Sequence, residues 1–401
     1  MNSPDRIASS IGVTGLYIFV VSMPYSPALS ETGFAISLLA ALFLAVSNRH
    51  ISLPSRTYNI ALAVFLILVI STIPFSMDPE LSIRKFGIVR WLFFPYIILN
   101  LNPDIKTSGN LIKTLMVASG IFSVYLLVQH FSGKPVIPYK FDVYQTVNPG
   151  NTEESARIAL RFGQYYAMLA VFAVVLIIYA NRQLKLIMVS VLSGVLSAAS
   201  TYFAYARSGA VGMWVSLTTW GLLRARTVFY SMLAVTLISI FLVFLFPKTE
   251  FSELFYSTIH PTAASGARYG SNMARIHMFD NTLKIVRQHP FTGAGFNCYG
   301  EWTRIYEPAD AGWERTFSDP AEFLATTGVT GFLGFLILYV SIFSVLFKCS
   351  GALSDAVLAA FLVFAAGGVF EPMFFNTVLL RGIMFLIGLC MLYNKNEGTR
   401  V

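Results

Sequence analysis

The sequence predicts an all-α membrane protein that crosses the bilayer about twelve times, and two observations lead to this prediction. Of the 401 residues, 56% are hydrophobic and only 12% are charged, which is about half the charged share of an average soluble protein. Apolar runs of about 17 to 25 residues, the length that a helix needs to span lipid, recur along most of the chain. Such runs are too long for barrel strands, and a helix satisfies its own backbone hydrogen bonds in lipid.

The apolar runs place the predicted spans one after another along the chain. The first run follows a short segment that contains Arg6 and has no small-residue cleavage site, so we expect it to be retained as a helix. The twelve spans are expected at about residues 11–26, 32–47, 57–75, 86–101, 111–131, 158–180, 185–204, 209–223, 227–247, 324–347, 354–370 and 375–393.

The basic residues predict the orientation of the spans. With a cytoplasmic N-terminus, the inward segments hold twelve basic residues against four acidic ones, and every inward turn has at least one Lys or Arg. We therefore expect a multi-pass protein of the bacterial inner membrane, in contact with membrane lipids, with both termini in the cytoplasm. The net charge of +8 follows from this asymmetry, so we expect no nucleic-acid partner.

Two predicted outward segments are long. The larger runs from about 248 to 323, and loops of this length in compact proteins usually carry function. It contains a predicted helix over 272–289 that ends at Pro290 and Gly293. The apolar side chains of this helix fall at helical spacing, at Met273, Ile276, Leu283 and Val286. We therefore divide the chain into spans one to nine (1–247), a periplasmic loop domain (248–323) and spans ten to twelve (324–401).

Arginines near bilayer depth are the first candidates for function, because a charge there is costly. The four that qualify are Arg90, Arg161, Arg207 and Arg381. Arginines gathered at an outer membrane surface suit an anionic ligand, because the guanidinium group matches phosphate oxygens in a bidentate manner. The alternative for each is a structural arginine that snorkels or forms an ion pair.

Carboxylates and histidines near the large loop are candidate bases. Asp319 and Glu322 lie three residues apart at the start of the tenth span, where they share a helix face and act either as a general base or as helix caps. His260 and His277 lie in the loop and are bases or ordinary surface residues. No pair of histidines has metal-ligand spacing, and the three cysteines form no CxxC pair, so we expect neither a metal nor a cofactor.

Three motifs, taken in order, resemble the signature of the O-antigen ligase and polymerase superfamily. The longest contains Arg275, its helix, His289-Pro290 and the turn Gly293-Ala-Gly295. Ala206-Arg207-Ser208-Gly209 precedes it, and the segment from Glu322 to Gly331 follows it. The resemblance covers about 200–335 by motif. It implies a GT-C-like membrane glycosyltransferase that needs no metal and whose donor is a glycan on undecaprenyl pyrophosphate.

The resemblance also implies roles for individual residues. Arginines that match Arg207 and Arg275 neutralise the pyrophosphate as negative charge develops. With two further outer arginines, the expected pyrophosphate set is Arg161, Arg207, Arg268 and Arg275. Members of the superfamily carry a histidine as base just before the tenth span, and its position here is Phe317. The remaining candidates for the base are Asp319, Glu322 and His277.

The leading functional hypothesis is an O-antigen ligase that moves the glycan onto lipid A–core oligosaccharide at the periplasmic face. A polymerase of the same superfamily is the first alternative, but polymerases often have two large outer loops, whereas the two here have about 25 and 75 residues. A transporter or flippase is the alternative from another class. It requires ionisable residues at the bilayer midplane and broken helices in two matching halves, and Asp and Glu are nearly absent from the spans.

Overall fold

The computed structural model describes residues 3–132, 153–179, 184–203, 207–245, 267–308 and 315–398, and these ranges contain helices and turns but no strand. The α-helices are α1 (Ser3–Ser22), α2 (Pro27–Ser47), α3 (Arg56–Thr72), α4 (Pro79–Phe86), α5 (Phe94–Leu101), α6 (Ile105–Ser132), α7 (Glu153–Tyr179), α8 (Leu184–Phe203), α9 (Arg207–Arg224), α10 (Arg226–Leu245), α11 (Ala267–Gln288), α12 (Tyr299–Tyr306), α13 (Asp319–Lys348), α14 (Ala352–Gly368) and α15 (Thr377–Gly398). Two 3₁₀ segments, Ile73–Phe75 and Gly87–Phe93, adjoin α3 and α5.

Every predicted span coincides with helical structure. Six of the described helices are long and apolar enough to cross a membrane by length and composition, and shorter apolar helices accompany them. The prediction of an all-α polytopic membrane protein is therefore confirmed.

The fourth predicted span differs from the prediction because it is built from three pieces. The chain turns into α4 at Pro79, where the Oδ1 atom of Asp78 accepts a hydrogen bond from Leu81 N at 2.8 Å and caps the helix. The 3₁₀ segment Gly87–Phe93 and then α5 follow. Hydropathy missed α4 because this helix is short and half polar.

Small residues bring α1 and α2 close together. A Cβ atom added to Gly33 would lie 2.5 Å from Phe19 N, so only glycine permits this approach. Across the same interface, Ser37 Oγ donates a hydrogen bond to Gly12 O at 3.0 Å. Small residues and interhelical hydrogen bonds are the usual means of packing helices in lipid, where the hydrophobic effect between helices is weak.

Two contacts join parts of the chain that the predicted topology assigns to opposite ends of the spans. Ser47 Oγ donates to Asp5 Oδ1 at 2.7 Å, and both residues were predicted to face inward. Met77 N donates to Ala294 O at 3.0 Å, and both were predicted to face outward. Each of these contacts joins residues that the predicted topology places on the same side of the membrane. We call the end that carries α11 and α12 the outer end, and the opposite one the inner end.

The predicted helix of the large loop is present as α11, with a different buried face. Its buried side chains are Ala274, Met278, Asn281, Thr282 and Ile285. Ile276 and Leu283, which the apolar spacing singled out, are exposed. The difference arises because α11 packs on α13 with a face that contains polar residues.

Helix α13 begins earlier than predicted and is broken near its start. Ser318 caps it, since its Oγ accepts a hydrogen bond from Ala321 N at 3.2 Å. The backbone at Gly328 has φ 62° and ψ −167°, a conformation that is essentially restricted to glycine. This break separates a short outer piece, 319–327, from the long spanning piece, 329–348.

Candidate functional site

The turn that follows α11 is joined to the break in α13 by backbone hydrogen bonds. They run from Ala294 N to Ala325 O (2.9 Å), from Gly295 N to Thr326 O (2.8 Å) and from Val329 N to Pro290 O (2.9 Å). These bonds use the backbone groups that the break removes from the helix ladder. Two of the motifs that carry the family resemblance thus form one interlocked unit, and Gly293-Ala-Gly295 is a turn after a helix, as predicted.

Glycines make this interlock possible. A Cβ atom on Gly293 would lie 2.5 Å from Thr326 C, and one on Gly328 would lie 2.6 Å from Phe291 O. Both glycines also have positive φ angles, of 64° and 62°. The two segments can approach only because neither position carries a side chain.

Asp319 lies in the first turn of α13 and is only 1% exposed. Its carboxylate accepts hydrogen bonds from Phe374 N, at 2.9 Å to Oδ1 and 3.0 Å to Oδ2, and from the Tyr339 hydroxyl at 3.3 Å. Gly368 gives it room, since a Cβ atom there would lie 2.5 Å from Asp319 Oδ2. Asp319 therefore ties the start of α13 to the connection between α14 and α15.

Glu322 follows one turn later and is 0% exposed. Its Oε2 atom accepts a hydrogen bond from Thr316 N at 2.7 Å, whereas its Oε1 atom is buried and has no hydrogen-bond partner among the described residues. The helix cap is Ser318, so neither acid occupies the capping position. A buried carboxylate oxygen without a partner has a free position for a proton donor.

Arg275 and Glu371 bring α11 to the same place. Arg275 Nη2 lies 3.1 Å from Glu371 Oε1, in the connection between α14 and α15 that also binds Asp319. Arg315 contacts the same connection, where its Nη1 atom donates to Phe375 O at 3.0 Å. Sequence reasoning did not select Glu371 or Arg315. An acid at the outer end of the eleventh span was the available signal for Glu371.

The start of α9 lies beside this connection. Ser208 Oγ accepts a hydrogen bond from Gln164 Nε2 at 3.1 Å, and Gln164 Oε1 accepts one from Asn376 Nδ2 at 3.3 Å. Arg207, next to Ser208, begins α9, but its side chain lies outside the described part of the structure. The chain of bonds brings its backbone to the connection that carries Glu371.

The other two predicted pyrophosphate residues can be placed only by their helices. Arg161 lies on α7, three residues before Gln164, and Arg268 lies on the first turn of α11. Both side chains lie outside the described residues.

Neither predicted histidine is found with the two acids in the described part of the structure. His277 is exposed on α11, and His260 belongs to the part of the chain that is not described. Phe317 fills the position of the missing family histidine, with its ring centre 6.4 Å from that of Phe279. Among the described residues, no group of three or more His, Cys, Asp or Glu side chains could hold a metal.

The other two arginines that were predicted near bilayer depth, Arg90 and Arg381, have partners within the protein. Arg90 forms an ion pair with Glu31 and lies 5.0 Å from the ring centre of Trp91. Arg381 is 2% exposed and donates to the hydroxyl of Ser30 and, at 2.7 Å, to Met23 O. These contacts agree with the structural alternative for both residues.

A family model described as O-antigen ligase matches residues 192–336, a range that includes α9, α11 and the break in α13. A search of curated proteins finds no match. The matched range holds the interlocked motifs, both acids and three of the four predicted arginines. The similarity to the O-antigen ligase family thus lies in residues 192–336, and it supports the resemblance to the O-antigen ligase/polymerase superfamily that the motifs carry.

Proposed function

We propose that the protein is an O-antigen ligase. It transfers a glycan from undecaprenyl pyrophosphate to a sugar hydroxyl of lipid A–core oligosaccharide at the periplasmic face of the inner membrane, without a metal. The observation that carries this proposal is the convergence of buried acids and arginine-bearing helices at one end of the bundle. A base for a hydroxyl and cations for a pyrophosphate are the two groups that this reaction needs.

The reaction can be written with the residues of the outer end. The acceptor hydroxyl oxygen attacks the anomeric carbon, and a bond from carbon to oxygen forms. The bond between that carbon and the pyrophosphate oxygen breaks, and undecaprenyl pyrophosphate leaves with the electron pair. The hydroxyl proton passes to Glu322, whose Oε1 atom has no other partner. Arg207 and Arg275, assisted by Arg161 and Arg268, stabilise the departing pyrophosphate.

Among the three candidate bases, Glu322 is favoured by its contacts. Both oxygens of Asp319 already accept hydrogen bonds from a backbone amide. His277 is exposed on α11, whereas the two acids at the start of α13 are buried. Asp319 is better suited to position α13, because it holds this helix to the connection that carries Glu371.

Purified protein in liposomes, supplied with a lipid-linked glycan donor, tests the reaction. We expect the glycan to appear on lipid A–core oligosaccharide only when that acceptor is present. Lengthened lipid-linked chains without the acceptor would instead identify a polymerase. Counterflow of the donor across the bilayer with no transfer product would identify a transporter.

Variants test the arginine roles. We expect Arg275→Ala to lower transfer by about 100-fold or more, because a preorganised cation is lost from the leaving group. Arg207→Ala should have a similar effect. The matched control is Arg304→Ala, which removes an exposed ion pair with Glu301 on the same outer surface and should leave transfer near the wild-type rate.

Glu371→Gln tests whether Arg275 binds the lipid-linked donor or only forms a structural ion pair. It breaks the same pair as Arg275→Ala but leaves the guanidinium group in place. If the pair matters only for folding, both variants lose stability and activity together. If Arg275 binds pyrophosphate, Glu371→Gln keeps donor affinity while Arg275→Ala loses it.

A further inference from the structure

The short outer helix α4 is fixed against the site, although no sequence motif predicted this. It is held by residues 294–298, which lie between α11 and α12. The contacts are Met77 N to Ala294 O (3.0 Å), Ser82 Oγ to Cys298 Sγ (3.2 Å) and the ring centres of Phe86 and Phe296 (5.4 Å). The ring of Phe296 in turn lies 6.4 Å from that of Phe323, the neighbour of Glu322. Helix α4 is therefore tied to the outer piece of α13.

Four cations at the outer end already have a carboxylate partner. The pairs are Arg90 with Glu31, Arg275 with Glu371, Lys284 with Glu307 and Arg304 with Glu301. Lys85, in the last turn of α4, differs from them. It is half-buried, and its ammonium group has no hydrogen bond or ion pair with any described residue.

Lys85 lies within electrostatic range of the Glu322 carboxylate, but the two groups do not form an ion pair. Glu322 in turn has one buried oxygen without a partner. The two residues lie next to Phe86 and Phe323, whose rings both pack near Phe296, so a cation and a carboxylate are carried by elements that meet there. This arrangement matches a ligand that presents an anion and a hydroxyl together. The two substrates of the proposed reaction present these groups: a pyrophosphate and an attacking hydroxyl.

We propose that Lys85 binds a phosphate oxygen of the lipid-linked donor, an inference that rests on the proposed function. A lysine ammonium is a compact charge with three donors, and it binds phosphate as a point charge. Lys85 can do so without breaking an existing pair, whereas Arg275 must share its guanidinium group with Glu371. As the glycosidic bond breaks, the negative charge on the pyrophosphate rises, and Lys85 then stabilises the leaving group.

The test compares Lys85→Gln with Lys85→Arg and with the control Arg84→Gln. Arg84 is the preceding residue, is exposed, and is also in the last turn of α4. We expect Lys85→Gln to weaken the binding of glycan-free undecaprenyl pyrophosphate by roughly 10- to 100-fold, the value of one charge-assisted hydrogen bond. Lys85→Arg should restore most of the affinity, and Arg84→Gln should change it little.

Binding and transfer are measured separately, on protein in nanodiscs whose thermal unfolding has been checked. Equal affinity of Lys85→Gln and wild type for undecaprenyl pyrophosphate would overturn the proposal. Equal losses in Lys85→Gln and Arg84→Gln would also overturn it, because they would reflect only the general charge of α4. If Lys85→Gln weakens binding but wild-type protein transfers no glycan, the role of Lys85 stands and the proposed ligase activity fails.

Discussion

Two buried acids, one at each end of the bundle, are satisfied to different degrees. At the inner end, Asp355 is 4% exposed. Its Oδ1 atom lies 3.4 Å from Arg224 Nε, and its Oδ2 atom accepts a hydrogen bond from the Tyr179 hydroxyl. At the outer end, Glu322 has one satisfied oxygen and one without a partner. Among the described residues, both oxygens of the inner acid have partners, whereas only one oxygen of the outer acid does.

The difference separates an acid that supports the fold from one that is available to a substrate. Burying a carboxylate is costly unless hydrogen bonds and a cation compensate. Asp355 has both kinds of compensation, so its role can be structural. Glu322 keeps an uncompensated oxygen in the family-matched part of the chain, and such exceptions are expected where a ligand completes the bonding.

The largest effect on turnover is expected for Glu322→Gln. The amide keeps the size of the side chain and can still accept the hydrogen bond from Thr316 N, but it cannot take a proton from the acceptor hydroxyl. We expect transfer to fall by about a thousandfold with little change in thermal unfolding, as for the loss of a general base. Near-normal turnover in this variant would show that Glu322 is not the base.

The largest effect on folding is expected for Gly328→Ala. The added Cβ atom would clash with the backbone of Phe291 and would force alanine into a conformation that favours glycine. We expect a loss of stability of about 3 kcal/mol or more, measured as the yield and midpoint of thermal unfolding in detergent. The control is Gly109→Ala on α6, where nothing lies within 4 Å of the added atom. An equal effect of the two variants would show that the interlock does not hold Glu322 in place.

A smaller effect is expected for Asp355→Asn, and on stability rather than turnover. The substitution removes the charge that pairs with Arg224, which is partly exposed. We expect a loss of about 1 to 3 kcal/mol in the free energy of unfolding, with transfer unchanged per folded molecule. If transfer fell as far as in Glu322→Gln, the two acids would not differ in role.

The smallest effect concerns the thiol of Cys298, which reports on the closure of the outer interlock. Desolvation by burial raises the pKa of this thiol, and hydrogen bonds with Ser82 and Ser76 offset only part of that rise. The thiolate is the reactive form, so at neutral pH we expect slow alkylation that accelerates only at higher pH than for an exposed cysteine. Peptide-level mass spectrometry after a timed alkylation measures this rate. Rapid labelling at pH 7 would mean that the interlock opens readily.

The order of the long apolar helices was predictable because hydropathy is a local property of the sequence. The length and hydropathy of an apolar run indicate that it lies in lipid, whatever it packs against. The break in α13 was not predictable in this way, since the apolar pattern runs through Gly328 without interruption. Only the backbone of a distant segment, 290–295, reveals why the helix must open there.

The site was predictable in part. Asp319, Glu322 and Arg275 were selected from spacing, charge and resemblance, and the structure brings the connection around Glu371 and Phe374 to them. Those partners lie 96 residues from Arg275 and 55 from Asp319 along the chain, so no local pattern could reveal them. Lys85 was overlooked because α4 is too short and too polar to register as a span.

The interlock between the turn after α11 and the opened part of α13 is made by main-chain atoms, and this affects how the sequence can vary. Ala294 donates its amide N–H, which any residue except proline could supply, and Ala325 and Thr326 accept through carbonyl oxygens, which every residue has. Gly293 and Gly328 contribute the absence of a side chain, which no other residue can supply. A search for remote homologues should therefore give more weight to the distance between these two glycines than to the identity of the residues around them.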